Sequence, residues 1–323
     1  MRTLDQLILD EAFGEVAAPE VVVVAHDPTG DVVGEAIATG TRVVFADPDY
    51  RRCAAAPAGV EVVGDVRLDE YLAGATGSCV VVGEMPKSLA RLDYVARSVA
   101  GAGFSEARVV LGANNKHLSR GMNAVLAESF TDVAASRGRG KFRCLVASGP
   151  RDVSYVPVTG DGLVAVGGVF SGAKPDRGGE VLKRAVAPVV DKHVRVLDLG
   201  CGNGSVSRGL AGAVTATDAD ADAVLSARAI GLDATWDDAG SRLPDASFDV
   251  VALNPPFHDG TTVDATLVQH LLDAARRLLV PGGALYMVHN SHLRYRGEVE
   301  RRFVEVEQVT RDATFTVLRG QRG

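Results

Sequence analysis

Cysteine is scarce in this chain and never clusters: Cys53, Cys79, Cys144 and Cys201 stand far apart, with no C-x-x-C pair. That spacing supports neither a zinc site nor a disulfide framework, so no metal is expected. Long apolar runs are missing too; nothing approaches the roughly 18 residues that a membrane helix needs. The opening Met1-Arg2-Thr3-Leu4-Asp5 turns acidic too soon for a secretory signal. The expected setting is the cytoplasm, with no membrane partner. Tryptophan occurs once, as Trp236, and reads as packing rather than as a platform for a base. Positive charge is in deficit as well: the net charge is −7, which at first argues against a phosphate-rich partner. Its distribution qualifies that argument. Residues 1–83 hold 5 Lys/Arg against 14 Asp/Glu, whereas residues 84–150 hold 10 against 5, with Arg137, Arg139, Lys141 and Arg143 in one short stretch. Residues 276–323 are also basic, 9 against 5. Solvated faces are the ordinary reading of such patches. The acidic total weakens an RNA partner without excluding it.

The 323 residues leave room for two α/β domains of about 150 residues each. Short β-branched runs alternate with Ala/Leu-rich stretches, the pattern of a largely parallel sheet flanked by helices. In the second half, Val194–Leu199 predicts a strand, Ser205–Ala211 the start of a helix and Ala213–Thr217 the next strand, followed by a helix through about Ile230. Phe248–Leu253 predicts another strand and Thr266–Leu279 a helix, ended by Pro281-Gly282-Gly283 before a strand over Ala284–His289. Phe303–Val309 and Thr314–Leu318 predict a closing β-hairpin.

The first half repeats this plan in faded form. Asp27 and Asp198 each follow a Val-rich run and lie 171 residues apart; Asp47 and Asp218 are also 171 apart, and Pro86 and Pro256 are 170 apart. Three pairs whose offsets agree to within one residue predict a duplicated domain, residues 1–150 and 151–323. The joint is expected near Ser148–Gly162, where Gly, Pro and polar residues gather. The first copy lacks a glycine-rich loop and an Asn-Pro-Pro, and is expected to be degenerate and inactive.

The chemistry gathers in the second copy. Val196–Leu199 feeds Gly200-Cys201-Gly202-Asn203-Gly204, and Asp218 ends the following strand. Glycine is needed where backbone turns tightly and approaches a ligand closely. A carboxylate at Asp218 can accept both ribose hydroxyls of a nucleoside cofactor. The spacing is G-x-G-x-G, not the G-x-G-x-x-G that seats a pyrophosphate. A nucleoside cofactor without phosphates, S-adenosylmethionine, fits that difference, with Asp198, Gly200, Gly202, Asn203, Gly204 and Asp218 to hold it. Asp237 and Asp238 could reach its adenine amino group, or be solvated loop acids.

Asn254-Pro255-Pro256-Phe257 ends the strand at Leu253. Two prolines make a rigid, extended elbow there. The Asn254 side-chain oxygen and the Pro255 carbonyl can both accept from one exocyclic NH₂, turning its lone pair toward a sulfonium methyl. Phe257 can stack on a planar base. An Asn-Pro turn is by itself usually only a turn; after a buried strand, 36 residues beyond Asp218, it is more specific. His258 has a catalytic reading beside a structural one.

Assembled, these residues resemble the ribosomal RNA guanine-N2 methyltransferases (the RsmC/RlmG family). The likeness rests on Gly168–Ser171 with Asp176–Gly179, on Asp198–Gly204, on Asn254-Pro255-Pro256-Phe257-His258-Asp259-Gly260, on His292–Tyr295 and on the closing Phe315–Arg319 run. It implies two tandem Rossmann-like class I methyltransferase domains, the first degenerate and assisting RNA recognition, the second catalytic. Ribosomal RNA, a ribosomal subunit or an assembly intermediate is the implied partner, and the chain is expected to be monomeric. Rival readings remain. One is transfer to another planar amine or amide, a release-factor glutamine or DNA adenine, against which the Phe257–Gly260 extension speaks. Another is a nicotinamide dehydrogenase, disfavoured by the missing G-x-G-x-x-G and by the terminal hairpin. A non-catalytic RNA-binding ribosome-assembly protein fits only the first half.

Overall fold

The structure, a computed structural model, describes residues 1–14, 18–256 and 265–323. The chain divides into two compact units, Met1–Pro157 with Val166–Gly168, and Val158–Ala165 with Val169–Gly323.

The first unit holds β1 (Val21–His26), β2 (Arg42–Phe45), β3 (Glu61–Val62), β4 (Ser78–Glu84), β5 (Glu106–Asn114), β6 (Phe130–Ala135) and β7 (Phe142–Pro150). They form one sheet in the order β3-β2-β1-β4-β5-β7-β6. The first five strands run parallel; β7 is antiparallel to both β5 and β6. Val22, Val23 and Val24 of β1 are all fully buried, because a sheet covered on both faces needs apolar residues at successive positions.

The second unit adds a small hairpin, β8 (Val158–Gly160) and β9 (Leu163–Ala165). Its main sheet holds β10 (Arg195–Leu199), β11 (Ala213–Asp218), β12 (Asp233–Trp236), β13 (Phe248–Leu253), β14 (Leu279–Asn290), β15 (Val304–Arg311) and β16 (Phe315–Gln321). The order is β12-β11-β10-β13-β14-β16-β15. Strand for strand this is the order of the first unit, so the repeat read from three residue pairs extends to the whole topology. The expected α/β class and the closing antiparallel hairpin are both present.

Two apolar layers clamp the second sheet. On one face the helix Arg177–Val186 sets Leu182 and Val186 against Val196, Val250 and Ala252. On the other, the helix Ala265–Leu278 sets Val268, Leu272, Ala275 and Leu278 against Leu197, Val251 and Leu253. Neighbours along β10 and β13 thus go to opposite faces, as pleating requires. Each such aliphatic side chain contributes about 1.5–3 kcal/mol when fully buried.

Two local expectations are corrected. Ser205–Ala211 is not a helix but a run of turns. The Ser207 hydroxyl donates to Asp198 Oδ2 at 2.6 Å, the Ser205 N–H donates to Asn203 Oδ1 at 3.1 Å, and Gly209 is left-handed at φ 77°. These side-chain bonds and the reversed φ compete with a continuous helical ladder. The expected stop at Pro281-Gly282-Gly283 lies inside β14 instead. Phe248 pairs with Leu279 but Val250 pairs with Ala284, so the extra residues are absorbed as an irregularity. Gly282, at φ 78°, supplies the bend. Its N–H donates to the Arg322 carbonyl at 2.8 Å, which fixes it to the chain end.

Candidate active site

Register decides what meets at the carboxyl end of the second sheet. Leu199 of β10 pairs with Thr217 of β11 on one side and with Leu253 of β13 on the other. The residues that follow, Gly200, Asp218 and Asn254, therefore emerge side by side. Strand order reverses direction between β10 and β13, and at such a switch point the two following loops diverge and leave a crevice.

Three carboxylates line the β10–β12 end. Asp198 is 1% exposed; its Oδ2 accepts from Ser207, while its Oδ1 is buried without a partner. Burial pushes its pKa up to about 6, opposed by the Ser207 bond and reinforced by Asp218. Asp218 accepts the Gly202 N–H at 2.9 Å and the Asp220 N–H at 3.0 Å, leaving each oxygen a further lone pair. Burial raises its pKa also. Among the described residues no Lys, Arg or His forms an ion pair with Asp198, Asp218 or Asp237. A ligand bearing positive charge would relieve this concentration of negative charge.

The glycine loop fits a close ligand. Gly200 and Gly202 adopt φ 81° and 52°, and a Cβ on either would meet nothing within 4 Å. Their bare Cα atoms face open space. Gly204 is in addition closely packed. At its φ of 80° a Cβ would lie 2.7 Å from Leu232 Cδ1, so only glycine lets that side chain come so close.

The remaining acids and Asn203 are bound more internally than the sequence suggested. Asn203 donates through Nδ2 to the carbonyls of Gly172 and Lys174, both at 2.8 Å, and its Oδ1 accepts from Ser205. Its side chain is spent on pinning residues 172–174 beside the loop. Asp237 is fully buried and accepts from the Thr217 hydroxyl at 2.5 Å and the Gly240 N–H at 2.8 Å. Asp238 is half-buried and lies 3.2 Å from His270 Nε2. Trp236 is packed inside, with its indole N–H on the Ala219 carbonyl at 3.1 Å.

Asn254 is half-buried, Pro255 buried and Pro256 exposed. Phe257, His258, Asp259 and Gly260 lie outside the described residues. Asn254 Nδ2 donates to Asp176 Oδ2 at 2.9 Å. Asp176 caps the helix Arg177–Val186, accepting the Gly179 N–H on the same oxygen at 2.6 Å. In the sequence Asp176 stands out only as part of the Asp176–Gly179 stretch of the resemblance. An Asp just before a helix is a capping residue, but nothing local could show the partner 78 residues away.

The first unit treats the matching positions differently. Asp27, the counterpart of Asp198, accepts from the N–H groups of Thr29, Gly30 and Val33. Asp47, the counterpart of Asp218, accepts the Asp27 and Asp49 N–H groups at 3.1 and 3.0 Å, but also both prongs of Arg52. His26 Nδ1 lies 3.3 Å from it as well. Burial alone would raise the Asp47 pKa; His26 and Arg52 outweigh it and hold the carboxyl well below its usual range. Of the two acids, Asp47 is thus already paired with a guanidinium of its own unit.

Arg137, Arg139 and Lys141 are exposed on the turn joining β6 to β7, with Arg143 exposed at the start of β7, and Arg139 and Phe142 exchange backbone bonds at 2.9 and 3.1 Å. Arg139 is tied to Asp10 at 2.7 Å; Arg137, Lys141 and Arg143 form no ion pair among the described residues. No group of three His, Cys, Asp or Glu among those residues could hold a metal ion, and no helix is long and apolar enough to cross a membrane.

Comparison with known proteins agrees with this geometry. Residues 162–319 match the methyltransferase small domain. The ribosomal RNA large subunit methyltransferase G of Pseudomonas fluorescens is 31% identical, over 98% of this chain and 87% of its own. The enzyme of the same description from Shewanella amazonensis is 27% identical, over 97% and 85%. Among solved structures, the T. thermophilus 16S rRNA N2 G1207 methyltransferase (RsmC), in complex with AdoMet and guanosine, superposes with a TM-score of 0.77 at 22% identity, covering 100% of this chain and 92% of that one. At that identity the structure speaks for the fold alone.

Proposed function

Since the chain belongs to the ribosomal RNA guanine-N2 methyltransferase family, we propose that it transfers a methyl group from S-adenosylmethionine to the exocyclic N2 of a guanine in ribosomal RNA. The observation that carries this reading is the pairing of two features at one sheet end: acids that pair with no cation among the described residues, and an amide beside them whose NH₂, not its oxygen, is taken by Asp176. In the first unit Asp47, the counterpart of Asp218, is paired with Arg52, and Glu84 stands at the position of Asn254.

The residues present fit the cofactor. Asp198 Oδ1, buried and unpartnered, would take its cationic amino group; Asp218 would accept from the ribose hydroxyls; Gly200 and Gly202 would let the backbone approach. Asp238 is better exposed than Asp237 for the adenine amine, and Asp237 instead shapes the loop through Thr217 and Gly240. When bound, S-adenosylmethionine supplies an electrophilic methyl on a sulfonium. Asn254 Oδ1 and the Pro255 carbonyl would hold the guanine NH₂ between two acceptors, fixing its lone pair along the line of transfer. No strong base is required of the protein, because the nitrogen becomes acidic once alkylated. Pro256 and Phe257 would present the elbow and a stacking face to the flipped base.

The basic turn Arg137–Arg143 would engage the phosphate backbone. Cofactor loop and acceptor motif belong to one unit of one chain, so a monomer suffices. The reading is tested by supplying labelled cofactor separately with naked rRNA, small subunits and large subunits, then mapping the modified nucleotide. Label on a guanine N2 is the expected result; label confined to protein or DNA overturns it.

A further inference from the structure

Asp176 stands between the two working parts of the catalytic unit. Its N–H donates to Ser205 Oγ at 3.3 Å, the Ser205 N–H donates to Asn203 Oδ1 at 3.1 Å, and Asn203 pins the carbonyls of Gly172 and Lys174. On its other side its carboxylate receives Asn254 Nδ2 at 2.9 Å. One network therefore runs from the glycine loop to the acceptor amide.

A carboxamide is nearly symmetric in shape and its terminal torsion is broad, so packing alone discriminates weakly between its two orientations. Hydrogen-bond chemistry discriminates strongly. A carboxylate can only accept, so the side of Asn254 that faces Asp176 must be the NH₂. Oδ1 is then delivered to the other side, past Gly178, where a Cβ would lie 3.4 Å from it. The alternative orientation would offer N–H donors to an acceptor amine that is itself a donor, and the two would repel. We propose that Asp176 is a positioning residue for the transfer: its carboxylate fixes the orientation of the Asn254 carboxamide so that Oδ1, not Nδ2, meets the amine. The proposal rests on the reading of Asn254 as the amine-binding residue. Asp176 itself need not touch the acceptor.

The arrangement can be broken by mutation. One oxygen of Asp176 both caps the helix and receives Asn254, so D176N, whose amide oxygen can take that place, should keep the helix start and the orientation of Asn254. D176S keeps a capping hydroxyl but draws the acceptor back by one bond, away from Asn254. Turnover of D176S is expected to fall about tenfold or more, the scale of a misaligned contact near the reacting atom. Cofactor Kd and the thermal midpoint should hold in both variants, and D176N should turn over several-fold faster than D176S. A D176S enzyme with wild-type turnover, or a D176N enzyme as slow as D176S, overturns the proposal.

A second readout needs no RNA. In cofactor-saturated protein with nitrogen-15 asparagine, one Asn254 NH₂ proton should resonate downfield and exchange slowly, and D176S should abolish both properties. An unchanged signal in D176S also overturns the proposal. Wild-type enzyme that methylates no rRNA would instead defeat the functional reading, while the amide signal would still report on Asp176.

Discussion

Asp47 and Arg52 form a two-pronged ion pair, Nε to Oδ2 at 2.9 Å and Nη2 to Oδ1 at 2.7 Å, whereas Asp218, 171 residues later, holds only backbone N–H groups through Gly202 and Asp220. The duplicated fold thus carries one strand-end carboxylate paired with its own guanidinium and one with no cation among the described residues. One cofactor per chain is the expectation. Asp218→Ala should weaken S-adenosylmethionine by roughly 1.5–3 kcal/mol, through lost charge-assisted bonds. Asp47→Ala should leave binding unchanged and instead destabilise its own unit, by roughly 1–3 kcal/mol, since Arg52 loses its partner. Calorimetry that finds two sites, or equal losses in both variants, contradicts the assignment.

Cofactor affinity should depend on pH through Asp198. With its pKa raised to about 6, the free protein holds a proton there in mild acid, and the stability gained from that proton is lost as pH rises through 6. A bound ammonium favours the ionised form, so binding should expel the proton. Affinity should rise about tenfold between pH 5 and pH 7. Titration calorimetry in buffers of different ionisation enthalpy would detect the released proton near pH 6. No proton release, or a flat profile, would remove Asp198 from the cofactor site.

RNA affinity should depend on the basic turn of the first unit. Arg139 is already committed to Asp10, so Arg137, Lys141 and Arg143 are the informative positions. Replacing those three with Glu should weaken RNA binding and flatten its salt dependence, each lost phosphate contact lowering the log–log slope by about 0.7–0.9. Cofactor affinity should hold. Filter binding across a salt series that shows an unchanged slope would reduce the turn to a solvated surface.

Asn254→Ala removes an acceptor from the amine and leaves the glycine loop and Asp218 intact. Turnover on the mapped substrate should drop by about 10²–10³, with cofactor affinity altered by less than about 1 kcal/mol. Phe257→Ala should act differently, raising the apparent KM for RNA, while Phe257→Tyr keeps a stacking face. Near-normal turnover by Asn254→Ala would leave the Asn-Pro-Pro elbow as a strand-ending turn.

The glycines should separate by function. Gly204→Ala brings a Cβ to 2.7 Å from Leu232 and should cost about 1–3 kcal/mol of stability by overpacking. Both alanines carry the strain of a left-handed φ, about 1–2 kcal/mol; Gly202→Ala meets no atom beyond that, so its further cost should appear as lost cofactor affinity. Thermal unfolding with and without cofactor distinguishes the two. Equal loss of stability in both would argue against Gly202 facing a ligand.

Local chemistry makes much of this protein legible from its sequence. Val-rich runs, a glycine-rich turn after a strand and an Asn-Pro-Pro at a strand end are short-range patterns that reflect constraints acting within a few residues, and three residue pairs at nearly one offset expose the repeat. Phe248–Leu253 is therefore readable to the residue. The misreadings are equally physical. Ser205–Ala211 loses its helix to hydroxyl and amide bonds reaching Asp198 and Asn203, and β14 absorbs Pro281-Gly282-Gly283 because Arg322, from the far end of the chain, supplies a bonding partner. The missing glycine-rich loop already sets Asp47 apart from Asp218 in the sequence; the pairing of Arg52 with Asp47 is seen only in the folded unit. The orientation of Asn254 likewise depends on Asp176, 78 residues away. Hydrogen bonds and ion pairs are decided by which donors fold into reach, and that is a property of tertiary structure.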